Sequence, residues 1–139
     1  MTTGEQPTSA LRPATIVPPA QAPARIENLE RIPLADLLPR VRAMAAQGAR
    51  LVTLTCVDMG GAFEVLYHFD LDLQLQHFSA QIPAGDKLPS ITSEYLCAFL
   101  VENEIADLFG LQVEGLPVDY HNRLMLTEDS SDRPLLRER

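Results

Sequence analysis

Residues 62–70, AFEVLYHFD, alternate almost perfectly. Phe63, Val65, Tyr67 and Phe69 fall on one side of an extended chain, and Glu64, Leu66, His68 and Asp70 on the other. That period of two belongs to a strand with one face against a core. A β-branched, almost uncharged run precedes it at 50–58 (RLVTLTCVD), and a third run follows at 73–81 (LQLQHFSAQ), with Leu73, Leu75 and His77 on one side. The links are short, Met59-Gly60-Gly61 on one side and two residues on the other. Parallel strands need a long crossover, so these links imply an antiparallel meander.

Helical spacing flanks the meander. In 33–47 (PLADLLPRVRAMAAQ), Leu34, Leu37, Leu38, Val41 and Met44 recur at helical intervals. Pro39 is expected to kink this helix or delay its start, and Gly48 to stop it. A second helix is expected from about Thr92 to Phe109. Thr92 or Ser93 would cap it, Glu94 would sit in the positive first turn, and Gly110 would form the C-terminal cap. Beyond it lie a short apolar stretch (Leu111 to Val113), a turn at Gly115-Leu116-Pro117, and a last strand or extended segment at 123–126 (RLML). The expected class is α+β: a small, mostly antiparallel sheet carrying two helices on one face, with an extended C-terminal arm.

Residues 1–30 read as a flexible proline-rich tail, 31–126 as the folded domain and 127–139 as the arm. Residues 1–25 hold five of the eleven prolines and only three charges. The stretch from Pro13 to Ala24 has four prolines and is expected to be neither a leader peptide nor a membrane span.

The net charge is −8, which argues against a nucleic-acid partner because phosphates demand a basic face. Residues 51–129 concentrate thirteen acids against two bases, Lys87 and Arg123. Such a surface serves either solubility or docking. Cys56 and Cys97 lie 41 positions apart in apolar segments and are expected to be reduced and buried. Two distant thiols cannot hold an iron–sulfur cluster. The chain contains no glycine-rich phosphate loop, no GxSxG and no HExxH. His68 and His77, on adjacent strands, would need a third group such as Cys56 to bind zinc. The ordinary reading, two strand histidines and a core cysteine, is preferred. His121 sits in a loop with no evident partner.

The unusual segment is Glu102-Asn103-Glu104-Ile105-Ala106-Asp107-Leu108-Phe109-Gly110. At about 100° per residue, Leu96, Cys97, Leu100 and Leu108 form one arc, and Glu104 and Asp107 fall inside it. Glu102 points elsewhere, toward the side of Ala106. Carboxylates in an apolar stripe are costly unless paired. They are a general acid/base pair, they pair within the chain with Arg123 or Arg40, or they meet donors of another subunit.

The run E-x-E-x-x-D-x-F-G resembles the signature of the thirty-kilodalton subunit family of NADH:quinone oxidoreductase, respiratory complex I. Glu102, Glu104, Asp107 and Gly110 match it, and Asn103 stands where arginine is usual. Leu54 to Asp58, Phe63 to His68, Pro89 to Thr92, Gly115 to Pro117 and Arg123 to Leu126 are similar to neighbouring family segments. Arg133-Pro134-Leu135-Leu136-Arg137 resembles a G-H-P-L-R motif without its glycine and histidine. The short length looks more like the homologous small subunit of energy-converting, membrane-bound nickel–iron hydrogenases.

The resemblance implies a non-catalytic accessory subunit with no cofactor of its own. It implies docking on a large catalytic subunit beside an iron–sulfur small subunit. The nickel–iron centre and iron–sulfur clusters would lie in those partners. The location implied is cytoplasmic, at the inner face of the membrane through the complex. Expected interface residues are Glu102, Glu104 and Asp107 toward basic groups, Phe109 and Gly110 at the helix exit, and Arg123, Pro134, Leu135 and Arg137 along the arm. The alternatives are the thirty-kilodalton subunit of a true, quinone-reducing complex I, or a stand-alone metal-dependent enzyme using His68, His77 and the acidic pair.

Overall fold

The computed structural model describes residues 29–130 and 134–135. Of the tail expected at 1–30, residues 1–28 lie outside the described residues, as does Arg137, and Glu30 already belongs to a strand. A four-stranded sheet runs in the order β1-β4-β3-β2, where β1 is Glu30–Ile32, β2 Arg50–Asp58, β3 Ala62–Leu71 and β4 Gln74–Pro83. β2, β3 and β4 form the expected antiparallel meander. The short β1, whose three residues carry no alternation signal, adds a parallel edge beside β4, with Ile32 opposite Ala80. The sheet is therefore mixed.

Two tight turns set the register. At the first, Gly60 adopts φ +85° and its N–H donates to Asp58 Oδ1 at 2.8 Å, an Asx-type turn. At the second, Asp72 and Leu73 both take positive φ, 53° and 64°. Two such residues in succession match the twist of a two-residue hairpin. Leu73, expected in the third strand, is thus the hairpin tip.

The first helix opens with a short 3-10 turn, Leu34–Asp36, and continues as α1, Leu37–Ala46. Pro39 lies in the first turn, where a backbone N–H has no intrahelical partner, so it neither kinks nor delays the helix. Gly48, at φ +79°, ends it. The second helix, α2, spans Ala98–Phe109, six residues shorter at its start than expected. Residues 92–97 turn instead. The Thr92 hydroxyl donates to Glu102 Oε2 at 2.8 Å rather than capping the helix.

The core lies between the helices and one sheet face. Leu37, Val41, Val65, Tyr67, Phe69, Ile82, Leu88, Ile91 and Ala98 are buried there. Tyr67 and Phe69 both stack on Phe78, with ring centroids 5.3 and 5.5 Å apart. Each fully buried aliphatic or phenyl side chain contributes about 1.5–3 kcal/mol. Past α2, Val113–Glu114 forms β6, pairing in parallel with β5 (Leu88–Pro89). That two-stranded element ties the chain after α2 to the loop before it. Residues 123–126 form no strand; they bend along α2.

The other sheet face carries polar residues. Arg31 Nε donates to Glu64 Oε1 at 2.8 Å, Ser79 Oγ donates to the same oxygen at 2.8 Å, and Glu64 is held below the usual carboxylate range chiefly by Arg31. Arg50 pairs with Asp70 at 2.7 Å. Cys56 does not join this face. It packs against the core, and burial pushes its thiol up to about 12. Cys97 is exposed, contrary to expectation, because it lies in the turn before α2 and not within a packed element.

Candidate functional site

Helix α2 has three distinct sides, and the signature residues divide among them. Ala98, Glu102 and Ile105 face the core. Asn103 and Asp107 face the end of the domain. Leu100 and Glu104 lie on the outer side, and the exposed Leu96 and Cys97 lie in the turn before the helix. Of the residues expected in the packed arc, Leu96 is 72% exposed and Leu100 51%. The expected arc does not hold together: the helix begins only at Ala98, after Leu96 and Cys97, and Asp107, expected inside the arc, is buried.

Glu102 is fully buried. Ser90 Oγ donates to its Oε2 at 2.6 Å, Thr92 Oγ1 to Oε2 at 2.8 Å and the Ile91 N–H to Oε1 at 2.7 Å. Burial raises its pKa, against the opposing pull of these three bonds. One side chain of α2 thus fixes the whole Pro89–Thr92 loop. The carboxylate expected to reach a partner's basic group is instead satisfied inside the chain. Tyr67, whose buried hydroxyl has no hydrogen-bond partner among the described residues, is held protonated by burial and by the neighbouring charge of Glu102.

Asn103 stands out in the sequence only as a departure from the signature. Its Nδ2 donates to the Phe99 carbonyl at 2.7 Å and to the Val118 carbonyl at 2.8 Å, and its Oδ1 accepts from the Tyr120 N–H at 3.0 Å. An arginine, which only donates, could not accept that last bond. One helical turn on, Asp107 Oδ2 accepts from the Met125 N–H at 2.7 Å, while its buried Oδ1 has no partner among the described residues. The Leu135 N–H donates to the Leu108 carbonyl at 2.8 Å. The end of the domain, Val118 to Met125, is therefore fastened to α2 at Asn103 and Asp107, and Leu135 of the arm is fastened at Leu108. No periodicity in the sequence reports such bonds to a distant backbone.

The remaining expected residues are placed as follows. Glu104 is half-buried at the margin of the outer side. Phe109 packs edge-to-face on Phe63, centroids 6.2 Å apart. Gly110 takes φ +70° and its N–H donates to the Ala106 carbonyl, the expected cap. Arg123 Nη1 donates to the Thr127 carbonyl at 3.0 Å. Arg40, the other candidate partner for the acids, pairs with Glu30 and stacks on Phe78. Pro134 and Leu135 are exposed. His121 does have a neighbour: its Nδ1 lies 3.5 Å from Asp119 Oδ2.

The two hydroxyls beside Glu102, those of Ser90 and Thr92, are buried with it and spend their protons on its carboxylate. Among the described residues no three metal-ligating side chains of His, Cys, Asp and Glu converge, and no helix is long and apolar enough to cross a membrane. What the geometry provides is a pair of exposed leucines, Leu96 and Leu100, with the arm fastened at the far end of the same helix. The family model of the 30 Kd subunit of respiratory-chain NADH dehydrogenase matches residues 29–139. The chain belongs to that family. Similarity to solved structures includes a chain of the membrane-bound sulfane sulfur reductase, described as an archaeal respiratory membrane complex. The match has a TM-score of 0.61 and 22% identity, over 74% of this chain and 64% of that one. The chain thus spans less than two thirds of that relative's length. No curated protein matches. Two of the acids of α2, Glu102 and Asp107, hold the loop at 90–92 and the backbone at Met125 in place.

Proposed function

We propose that this member of the 30 Kd family is a non-catalytic accessory subunit of a membrane-associated, energy-converting complex, docked on the large catalytic subunit of a nickel–iron hydrogenase. The observation that carries this reading is the outer side of α2. Leu100 is exposed on the helix beside the half-buried Glu104, and Leu96 is exposed in the turn that precedes it. Met125 and Leu135, bonded at Asp107 and Leu108 near the far end of α2, are also exposed. Exposed leucines edged by an acid suit a partner that brings apolar side chains and a basic group. In this reading Glu104, Phe109, Gly110, Arg123, Pro134, Leu135 and Arg137 shape or meet the interface. Glu102 and Asp107 act from within by holding the loop and the backbone at Met125. The fold shared with a chain of an archaeal respiratory membrane complex supports membership in such an assembly. Nickel and iron–sulfur centres belong to the partners.

The family assignment also supports a second reading, the 30 Kd subunit of a quinone-reducing NADH dehydrogenase. Isolating the native complex through a tag on the full chain separates the two. The hydrogenase reading expects a co-purified large subunit carrying nickel and hydrogen-oxidising activity. A nickel-free complex that reduces quinone establishes the second reading. A chain that purifies alone from solubilised membranes contradicts both.

A further inference from the structure

The four-stranded sheet has two edges, and they are built differently. β1, on one edge, is three residues long and is followed by Pro33, two devices that keep an edge from pairing further. β2, on the other, is nine residues long, with neither proline nor lysine and nothing charged between Arg50 and Asp58. Its bulge, between Leu51 and Thr53, lies near the start, so Thr53 to Asp58 is a regular run.

The hydrogen-bond phase of the meander shows which backbone groups of that run face outward. The Met59 N–H donates to the Ala62 carbonyl at 2.9 Å, so alternation sends the N–H and C=O of Val57, Thr55 and Thr53 to β3. Those of Leu54 and Cys56 point the other way, off the edge of the sheet. Among the described residues no backbone group of another element bonds to either. The Thr53 hydroxyl donates to the Leu54 carbonyl at 3.2 Å and leaves that oxygen its second lone pair. Thr53, Thr55 and Val57 are exposed alongside.

We propose, on the basis of the docking reading above, that β2 receives an extended segment of the large subunit as a fifth strand, bonded to the backbone of Leu54 and Cys56. A row of unpaired N–H and C=O groups is complementary to another extended backbone. Position gives the source of that backbone. Of the four strands, α2 packs chiefly on β2, so the open edge and the docking helix are neighbours. Tyr95, in the turn that holds Leu96, donates its hydroxyl to the Ala49 carbonyl at 2.9 Å, one residue before β2. Side chains of an added strand that flank Leu54 and Cys56 emerge on the α2 face of the sheet, and those that flank Thr55 and Val57 on the outer face. The segment that fits therefore alternates, apolar toward α2 and small, β-branched or polar outside, with no charge at its centre.

Hydrogen exchange resolved to single amides tests this, on the purified full chain and on the native complex isolated through its tag. In the chain alone, Leu54 and Cys56 should exchange fast while Thr55 and Val57, bonded to β3, exchange slowly. In the complex, Leu54 and Cys56 should slow at least about tenfold. Thr55→Lys combined with Val57→Lys, at two exposed positions, should keep the fold by circular dichroism and lower recovery of the large subunit at least about threefold. A recovered complex in which Leu54 and Cys56 exchange as fast as in the chain alone, or full recovery with both lysines, overturns the added strand and leaves the docking. Failure to recover any large subunit with the wild-type chain overturns both. Slow exchange of the two amides already in the chain alone would show the edge filled by the chain itself or by a second copy, and also overturns the proposal.

Discussion

Glu102 carries an ionisable group into the core, held by two hydroxyls and one amide rather than by a cation. Its native pKa is raised, burial outweighing the hydrogen bonds. For a group raised on folding, the contribution to stability is fully present below the unfolded value, about 4.3. It is lost as pH rises through the higher native value. Glu102→Gln keeps the shape without the charge. Urea midpoints should therefore show the wild type losing stability relative to Glu102→Gln as pH rises above the unfolded value of about 4.3. A difference that does not vary with pH contradicts this. Glu102→Leu strands the three donors and should cost about 2–4 kcal/mol. The acid at 102 is legible in the sequence as a signature residue, but its role is not. Its partners, Ser90 to Thr92, lie ten to twelve positions upstream in a loop that no helical or strand period describes.

The elements whose residues alternate or recur with a clear period, β2, β3, β4 and α1, stand where the sequence puts them, apart from shifts of a few residues at their ends. α2 begins six residues late because Ser90 and Thr92 commit their hydroxyls to Glu102, leaving 92–97 to turn. The segment before the arm is the part the sequence leaves least defined. RLML reads as a strand by composition, yet a hydrogen bond to Asp107 holds it as a bend. α2 and residues 118–125 form one unit through Asn103 and Asp107. Asn103→Ala removes bonds to Phe99, Val118 and Tyr120. It should cost about 1–2 kcal/mol and speed amide exchange at Tyr120 and its neighbours. Asp107→Ala should do the same at Met125. Hydrogen exchange followed by mass spectrometry reads both, and unchanged protection of 118–125 would show that this segment is held otherwise.

At the scale of the molecule, one sheet face packs the core and the other carries polar residues with Val57, Leu66 and Leu75 among them, while α2 turns Leu100 outward. The sequence displays Leu100 in an arc of leucines broken by acids; only the packing of Ala98, Glu102 and Ile105 on the sheet settles that Leu100 faces away. The central claim is that this side of α2 docks the catalytic subunit. The direct measurement is the amount of large subunit recovered per tagged full-length chain from native membranes. Leu100→Asp should lower it at least about tenfold, the effect of about 1.4 kcal/mol at one buried anchor. Leu73→Asp, at the 76% exposed hairpin tip far along the sequence, should leave it unchanged. Full recovery with Leu100→Asp would contradict the account.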